Sequence, residues 1–249
     1  MSKARSIRAR SARPWTKRRT DTMAQQLGLD LPSRPALGRD DFFVAPSNAI
    51  AVAMIEGWQA WAGRKMVLTG PPGSGKTHLA HVWANLSGAG IIDARDIATG
   101  DIPALAQGPL AVENVPDIAG DNAAETHLFH LHNLVLAEGH SLLLTGTPAV
   151  PQWGLHLPDL TSRMRAATAA ALEAPDDSLL TAVMAKLLAD RQLTPKPDVI
   201  PYLLLRMDRS FAAAGDLVAA LDAASLAQQK PVTRALAAQV LDNGFNAAR

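Results

Sequence analysis

Apolar residues fall along this chain in two rhythms. Short, nearly continuous apolar runs lie at 66–68, 91–93, 110–114, 141–145 and 168–172. Runs of that length, bounded by turn residues, predict buried strands. Between them, apolar residues recur at helical spacing and predict helices over 49–61, 77–85 and 123–138, the last closed by Gly139. Ser47 or Asn48 is the candidate N-cap of the first helix. Strands alternating with helices predict a parallel sheet covered on both faces, with ligands at the carboxyl ends of the strands. After Asp176 the pattern is helical only, over 177–193, 198–207, 212–229 and 233–241, with Pro195, Pro197 and Pro231 as separators. The expected fold is α/β: a three-layer parallel-sheet domain at 37–175 and a small all-α lid at 176–249.

The first apolar run leads into Gly70-Pro71-Pro72-Gly73-Ser74-Gly75-Lys76-Thr77, and the residues after Thr77 can continue as a helix. Strand, G-x-x-x-x-G-K-T and helix in that order predict the phosphate-binding loop of a P-loop NTPase. Gly70, Gly73 and Gly75 admit backbone angles that let successive N–H groups point at an anion, and the new helix adds the positive end of its dipole. Lys76 is then placed for the β- and γ-phosphates, and the Thr77 hydroxyl for Mg²⁺. Glu113, Asn114 and Thr147 fall at the same end of the predicted sheet. Phe43-Val44-Ala45, just upstream of the first helix, is expected to pass over the adenine.

Composition narrows this picture. An apolar fraction of 48% over 249 residues is ample for a core. With no cysteine, a disulfide framework and a cysteine metal site are excluded, which suits a reducing cytoplasm. No apolar run approaches the roughly 20 residues that cross a bilayer. His127, His130 and His132 do not make a metal constellation: on a helix the first two share a face and the third turns away, and there is no H-E-x-x-H.

The net charge of +1 conceals an asymmetry. Residues 1–22 hold Lys3, Arg5, Arg8, Arg10, Arg13, Lys17, Arg18 and Arg19 against Asp21, which leaves 16 Lys+Arg against 22 Asp+Glu in the body, a net −6. An acidic body binds DNA poorly without sequence specificity. The basic segment reads as a nucleic-acid arm, an organelle transit peptide or a flexible tail. We expect it to be disordered, or absent through translation from Met23. The linker at 23–36 contains Gln26-Leu27-Gly28-Leu29-Asp30-Leu31, whose alternating leucines suit an extended peptide docking in an apolar pocket.

These residues carry a family resemblance. Phe43-Val44, Ser47-Asn48 and the extended loop Gly73-Ser74-Gly75-Lys76-Thr77-His78-Leu79-x-His81 resemble the AAA+ module of the bacterial initiator DnaA. Leu157-Pro158-Asp159-Leu160-Thr161-Ser162-Arg163 resembles the segment carrying that module's arginine finger. The peptide bearing Gln26, Leu27, Leu29 and Leu31 resembles the one by which replication proteins hold the sliding clamp. With a chain that stops after the lid, it points to the Hda family of DnaA-related regulators. The resemblance implies bound ADP or ATP with Mg²⁺, contacts from Phe43, Val44, His78 and the loop to the nucleotide, and a bacterial cytoplasmic protein. The partners implied are the sliding clamp (the β subunit of DNA polymerase III) and DnaA, with DNA met only through the clamp and no membrane; a homo-oligomer is left open.

The same resemblance exposes departures. Glu113 stands where an Mg²⁺-organising aspartate is usual, and Asn114 where many AAA+ ATPases keep a water-orienting carboxylate. An amide cannot act as a base. Thr147 replaces the aspartate of a polar sensor, and Ala212 the arginine of a second sensor, with Arg209 one turn earlier as a partial substitute. Together they predict weak turnover in the chain's own site, whereas Arg163 is expected to act in trans on ATP held by another subunit. The alternatives are a DNA-binding initiation protein or accessory factor, which needs a helix-turn-helix module for which no sequence is left after the lid, and an ATP-driven loader, which needs robust turnover.

Overall fold

The computed structural model describes residues 43–245. The basic tail and the peptide bearing Gln26, Leu27, Leu29 and Leu31 lie outside the described residues. Strands β1 (Lys65–Thr69), β2 (Gly90–Asp93), β3 (Leu110–Glu113), β4 (Leu142–Gly146) and β5 (Thr168–Ala171) form one parallel sheet in the order β2-β3-β4-β1-β5. The near-continuous apolar runs of β1, β3 and β4 reflect burial on both faces. Val67, Leu110, Val112, Leu142 and Leu144 enter one apolar cluster with helices α4 (Asn122–Ala137) and α5 (Pro158–Arg165). Their neighbours Met66, Leu68, Ala111 and Leu143 enter the other, with α1 (Ala49–Glu56) and α2 (Lys76–Ser87). This alternation makes the three layers.

The first helix is shorter than its apolar pattern predicts. It stops at Glu56 with Gly57 as C-cap, and a 3₁₀ turn over Trp58–Ala60 follows. That break lets Trp61 stack on Trp83 at 5.2 Å between ring centroids while Trp58 meets it edge-on at 6.4 Å. Asn48 occupies the N-cap position without capping. Its Oδ1 instead accepts from the Ala45 N–H (2.8 Å) and its Nδ2 donates to the Phe43 carbonyl (2.9 Å), so it clasps the loop ahead of the helix.

A single-turn helix, α3 (Ile102–Leu105), has no counterpart in the sequence pattern, being too short to show a period; Asp101 caps it. β3 ends one residue earlier than predicted because Asn114 turns left-handed, with φ 57°, a conformation asparagine tolerates better than most side chains.

Helices α6 (Asp177–Asp190), α7 (Val199–Leu204), α8 (Phe211–Gln228) and α9 (Arg234–Val240) pack around a cluster of their own that includes Leu180, Met184, Leu188, Leu203, Leu217 and Leu221. Asp176, Ser210 and Thr233 cap three of them by accepting N–H groups two or three positions into the helix. Among the described residues no helix is long and apolar enough to cross a membrane.

Candidate functional site

The loop between β1 and α2 lies at the carboxyl end of the sheet, and close approaches there demand glycine. A Cβ on Gly70 would lie 2.8 Å from the Leu172 carbonyl oxygen just past β5. Gly73 has φ +68°, and a Cβ there would lie 2.5 Å from the Ser210 Cβ. The lid therefore rests directly on the loop, and the Phe211 N–H donates to the Gly73 carbonyl at 2.9 Å. Lys76 reaches back across the loop, its Nζ donating to the carbonyls of Gly70 (2.8 Å) and Pro71 (2.9 Å). Burial lowers its pKa and the Glu113 carboxylate acts against that shift.

The adjoining strand ends complete the site. Thr147, just past β4, donates through Oγ1 to the Gly70 carbonyl at 2.7 Å. One Glu113 oxygen, Oε1, and the Ser74 hydroxyl are buried without a hydrogen-bond partner. Buried polar atoms are rarely left unpaired, so these two, beside a glycine cradle and a lysine, fit a phosphate chain and its cation. In that fit Gly70 through Thr77 would hold the phosphates, while Thr77 and Glu113 would hold Mg²⁺, which would supply neutralisation of phosphate charge. The loop clasped by Asn48 joins this end of the sheet through the Glu173 N–H, which donates to the Ser47 carbonyl at 3.1 Å. Phe43 and Val44 are exposed on it. His78 follows Thr77 on the first turn of α2.

Two of the residues expected at the site, Asn114 and Arg209, have partners away from the phosphate loop. Asn114 is engaged elsewhere: its Nδ2 donates to Asp93 Oδ2 at 2.7 Å and its N–H to the Thr145 hydroxyl at 3.2 Å. Asp93 is itself gripped by the Arg95 guanidinium at 2.8 and 3.0 Å, which holds its carboxyl well below the usual range. This Asp93–Arg95–Asn114 cluster escapes a reading of the sequence, because β2 and β3 become neighbours only through strand order. Arg209 pairs with Asp177 at 2.9 Å, both more than half exposed. Two adjacent carboxylates at the start of α6, Asp176 and Asp177, draw it there, so it is not among the groups gathered on the loop.

Arg163 lies at the other end of the sheet. It sits in the last turn of α5, with its guanidinium carbon 5.0 Å from the centroid of the Phe129 ring on α4. Its backbone carbonyl accepts from Lys65 Nζ at 3.2 Å, and Lys65 opens β1. The phosphate loop follows the far end of that same strand, about 13 Å away at 3.3 Å per residue. Arg165 faces a different space, an open cavity of about 610 Å³ lined also by Leu155, His156, Thr161 and Ser162.

The α5 segment is set by a buried carboxylate. Glu125, fully buried on α4, accepts the N–H groups of Gly120, His156 and Leu157 at 2.6–3.0 Å. Its burial opposes ionisation, but those three donors prevail and its pKa falls. His132 is also buried, 1% exposed, with Nε2 3.3 Å from Lys65 Nζ. Neither residue stood out in the sequence, where Glu125 reads as a first-turn helix acid and His132 as one of three histidines.

Known structures share this fold. Domain III of the replication initiation protein DnaA from Thermotoga maritima matches with a TM-score of 0.76 at 19% identity, over 86% of this chain and 98% of that one. DnaA from Aquifex aeolicus bound to AMPPCP matches at 0.63 and 19%, over 75% of this chain and 65% of that one. A RuvB mutant from Thermotoga maritima matches at 0.61 and 15%, over 79% and 68%. No protein-family model matches the chain. At these identities the likeness is one of fold, and with the sheet order, the phosphate loop and the lid resting on it, the chain has the AAA+ P-loop NTPase fold in its DnaA-like form.

Proposed function

We propose that this chain is an Hda-like regulator of replication initiation. It binds ADP or ATP with Mg²⁺ in the loop from Gly70 to Thr77, with Phe43 and Val44 over the adenine, and holds the nucleotide as a structural element. It attaches to the DNA polymerase III sliding clamp through Gln26, Leu27, Leu29 and Leu31, and presents Arg163 to ATP bound by DnaA. Hydrolysis there leaves DnaA in its ADP form, so the protein opposes initiation. Nucleotide binding draws support from the fit of the loop and from the AMPPCP held by the Aquifex aeolicus DnaA of like fold.

The observation that supports the reading is that the phosphate loop and Arg163, whose carbonyl is held by Lys65, stand at opposite ends of β1. A guanidinium placed there serves a neighbour's triphosphate rather than its own. Asn114, turned onto Asp93, and Ala212, in place of a sensor arginine, favour slow turnover in cis.

The test is ATP hydrolysis by DnaA in the presence of DNA-loaded clamp and this protein. Wild-type protein should stimulate it, and Arg163→Ala should remove about 10³-fold or more of the stimulation. Unchanged stimulation by that variant refutes the finger. A Gln26→Ala/Leu27→Ala variant should lose clamp binding in a pull-down, and retained binding refutes the tether. Rapid ATP consumption by the protein alone, or specific duplex binding in physiological salt, would favour a loader or a DNA-binding initiation factor instead.

A further inference from the structure

Three bases meet at the amino end of the sheet: Lys65 from β1, His132 from α4 and Arg163 from α5. Among the described residues neither Lys65 nor Arg163 is ion-paired to a carboxylate. Lys65 Nζ lies 3.2 Å from the Arg163 carbonyl oxygen and 3.3 Å from His132 Nε2. An ammonium only donates, so His132 Nε2 accepts and the ring proton sits on Nδ1. That assignment agrees with the third contact, since Nδ1 lies 3.2 Å from Asn133 Oδ1. Burial, with smaller contributions from Lys65 and Arg163, depresses the His132 pKa to about 4 against the help of Asn133, so the ring is a neutral acceptor at physiological pH. Burial and the nearby guanidinium likewise lower the Lys65 pKa.

We infer that Lys65 and His132 are positioning residues for Arg163: the ammonium, seated on the imidazole, grips the last turn of α5 by the Arg163 carbonyl and so fixes the backbone from which the guanidinium crosses the Phe129 ring. The inference rests on the reading that Arg163 acts on a neighbour's phosphates. Its physical basis is threefold. The grip is a charged hydrogen bond at the C-terminal end of a helix, where cations are favoured. It acts on the residue that carries the guanidinium and not on a distant part of α5. The two cations repel each other and no carboxylate among the described residues is ion-paired with either, whereas an arriving phosphate relieves both. A simple packing role would be met by an apolar side chain at position 65, without that repulsion.

Four variants test this in the DnaA hydrolysis assay: Lys65→Met and His132→Leu remove the donor and the acceptor, while Lys65→Arg and His132→Gln keep them. Loss of alignment at a reacting centre costs up to about 10²-fold. The first pair should therefore lower the maximal stimulated rate by roughly 10- to 100-fold, with the half-saturating concentration of this protein unchanged, and the second pair should recover most of it. A docking or folding role would move the half-saturation point or the circular dichroism spectrum instead, and would overturn the inference. Wild-type stimulation by Lys65→Met beside a dead Arg163→Ala also overturns it, while leaving the proposed function standing. If Arg163→Ala itself stimulates normally, the proposed function fails, and nitrogen-15 relaxation of the Arg163 Nε–H decides the positioning claim. That group should be rigid in wild type and in Lys65→Arg and mobile in Lys65→Met; equal rigidity in all three would overturn it.

Discussion

The contact between lid and phosphate loop makes a quantitative prediction through Gly73→Ala. A left-handed backbone costs a residue with a Cβ about 1–2 kcal/mol, and Gly73 has φ +68°. The added methyl would also lie 2.5 Å from the Ser210 Cβ and 3.0 Å from its Oγ, an overlap worth about 1–3 kcal/mol by analogy with overpacked cores. The single variant should thus lose roughly 2–5 kcal/mol. Ser210→Gly removes the overlap, because the next Ser210 atom, Cα, is 3.5 Å away. That change sacrifices the N-cap of α8 at a cost of only a few tenths of a kcal/mol, roughly. In the Ser210→Gly background, Gly73→Ala should therefore cost only the conformational part. The four proteins form a double-mutant cycle, read by urea denaturation through the fluorescence of Trp58, Trp61 and Trp83. A coupling energy of about 1–3 kcal/mol is expected. Coupling below about 0.5 kcal/mol would refute the argument that lid and loop are in steric contact.

Other outcomes follow from the same geometry. Lys76→Ala should weaken ADP binding at least tenfold, since a hydrogen bond to a charged group is worth about 1.5–3 kcal/mol; calorimetric titration checks it, and unchanged affinity would remove Lys76 from the phosphates. Glu113→Gln should make the affinity for ADP the same with Mg²⁺ and with a chelator; a persisting Mg²⁺ dependence would place the cation elsewhere. Glu125→Ala removes the charged acceptor of three part-buried N–H groups and should cost at least about 3 kcal/mol in urea denaturation. Because the folded-state pKa of Glu125 is depressed, its contribution is complete above its unfolded value near 4.5 and disappears as the pH falls below that. His132 is likewise depressed, from 6.5 to about 4, so stability should fall between those pH values as protonation favours the unfolded chain. The loss should reach at most about 3 kcal/mol, and a His132→Gln variant that retained it would refute the assignment.

The parts of this protein that depend on near neighbours in the chain are legible without a structure. Each of the five apolar runs became a strand, and those of β1, β3 and β4, buried on both faces, need no partner to be recognised. The loop from Gly70 to Thr77 is equally local: a tight turn, a lysine and the first turn of a helix are all specified within a few residues. Helix ends were less secure. Gly57 halts α1 in the middle of an apolar stretch, and Asn48 turns its side chain toward Phe43 and Ala45, since a tertiary need for the Trp61–Trp83 stack and for a clasped loop outweighs helical propensity.

What the chain alone determined, then, is the alternation of buried strands and amphipathic helices, the glycine-rich loop between β1 and α2, and the identities of the side chains at the strand ends beside it. Which of these meet was decided by the order β2-β3-β4-β1-β5 and the packing of the lid. Strand order brought Asp93 beside Asn114, and the opening of β1 beside the last turn of α5, so that Lys65, His132 and Arg163 came together. Lid packing set Ser210 against Gly73 and sent Arg209 to Asp177. The physical reason is range. Backbone angles and hydrophobic period act over a few residues, whereas Lys65 and Arg163 stand 98 positions apart, and a hydrogen bond between them exists only after the whole sheet has chosen its neighbours.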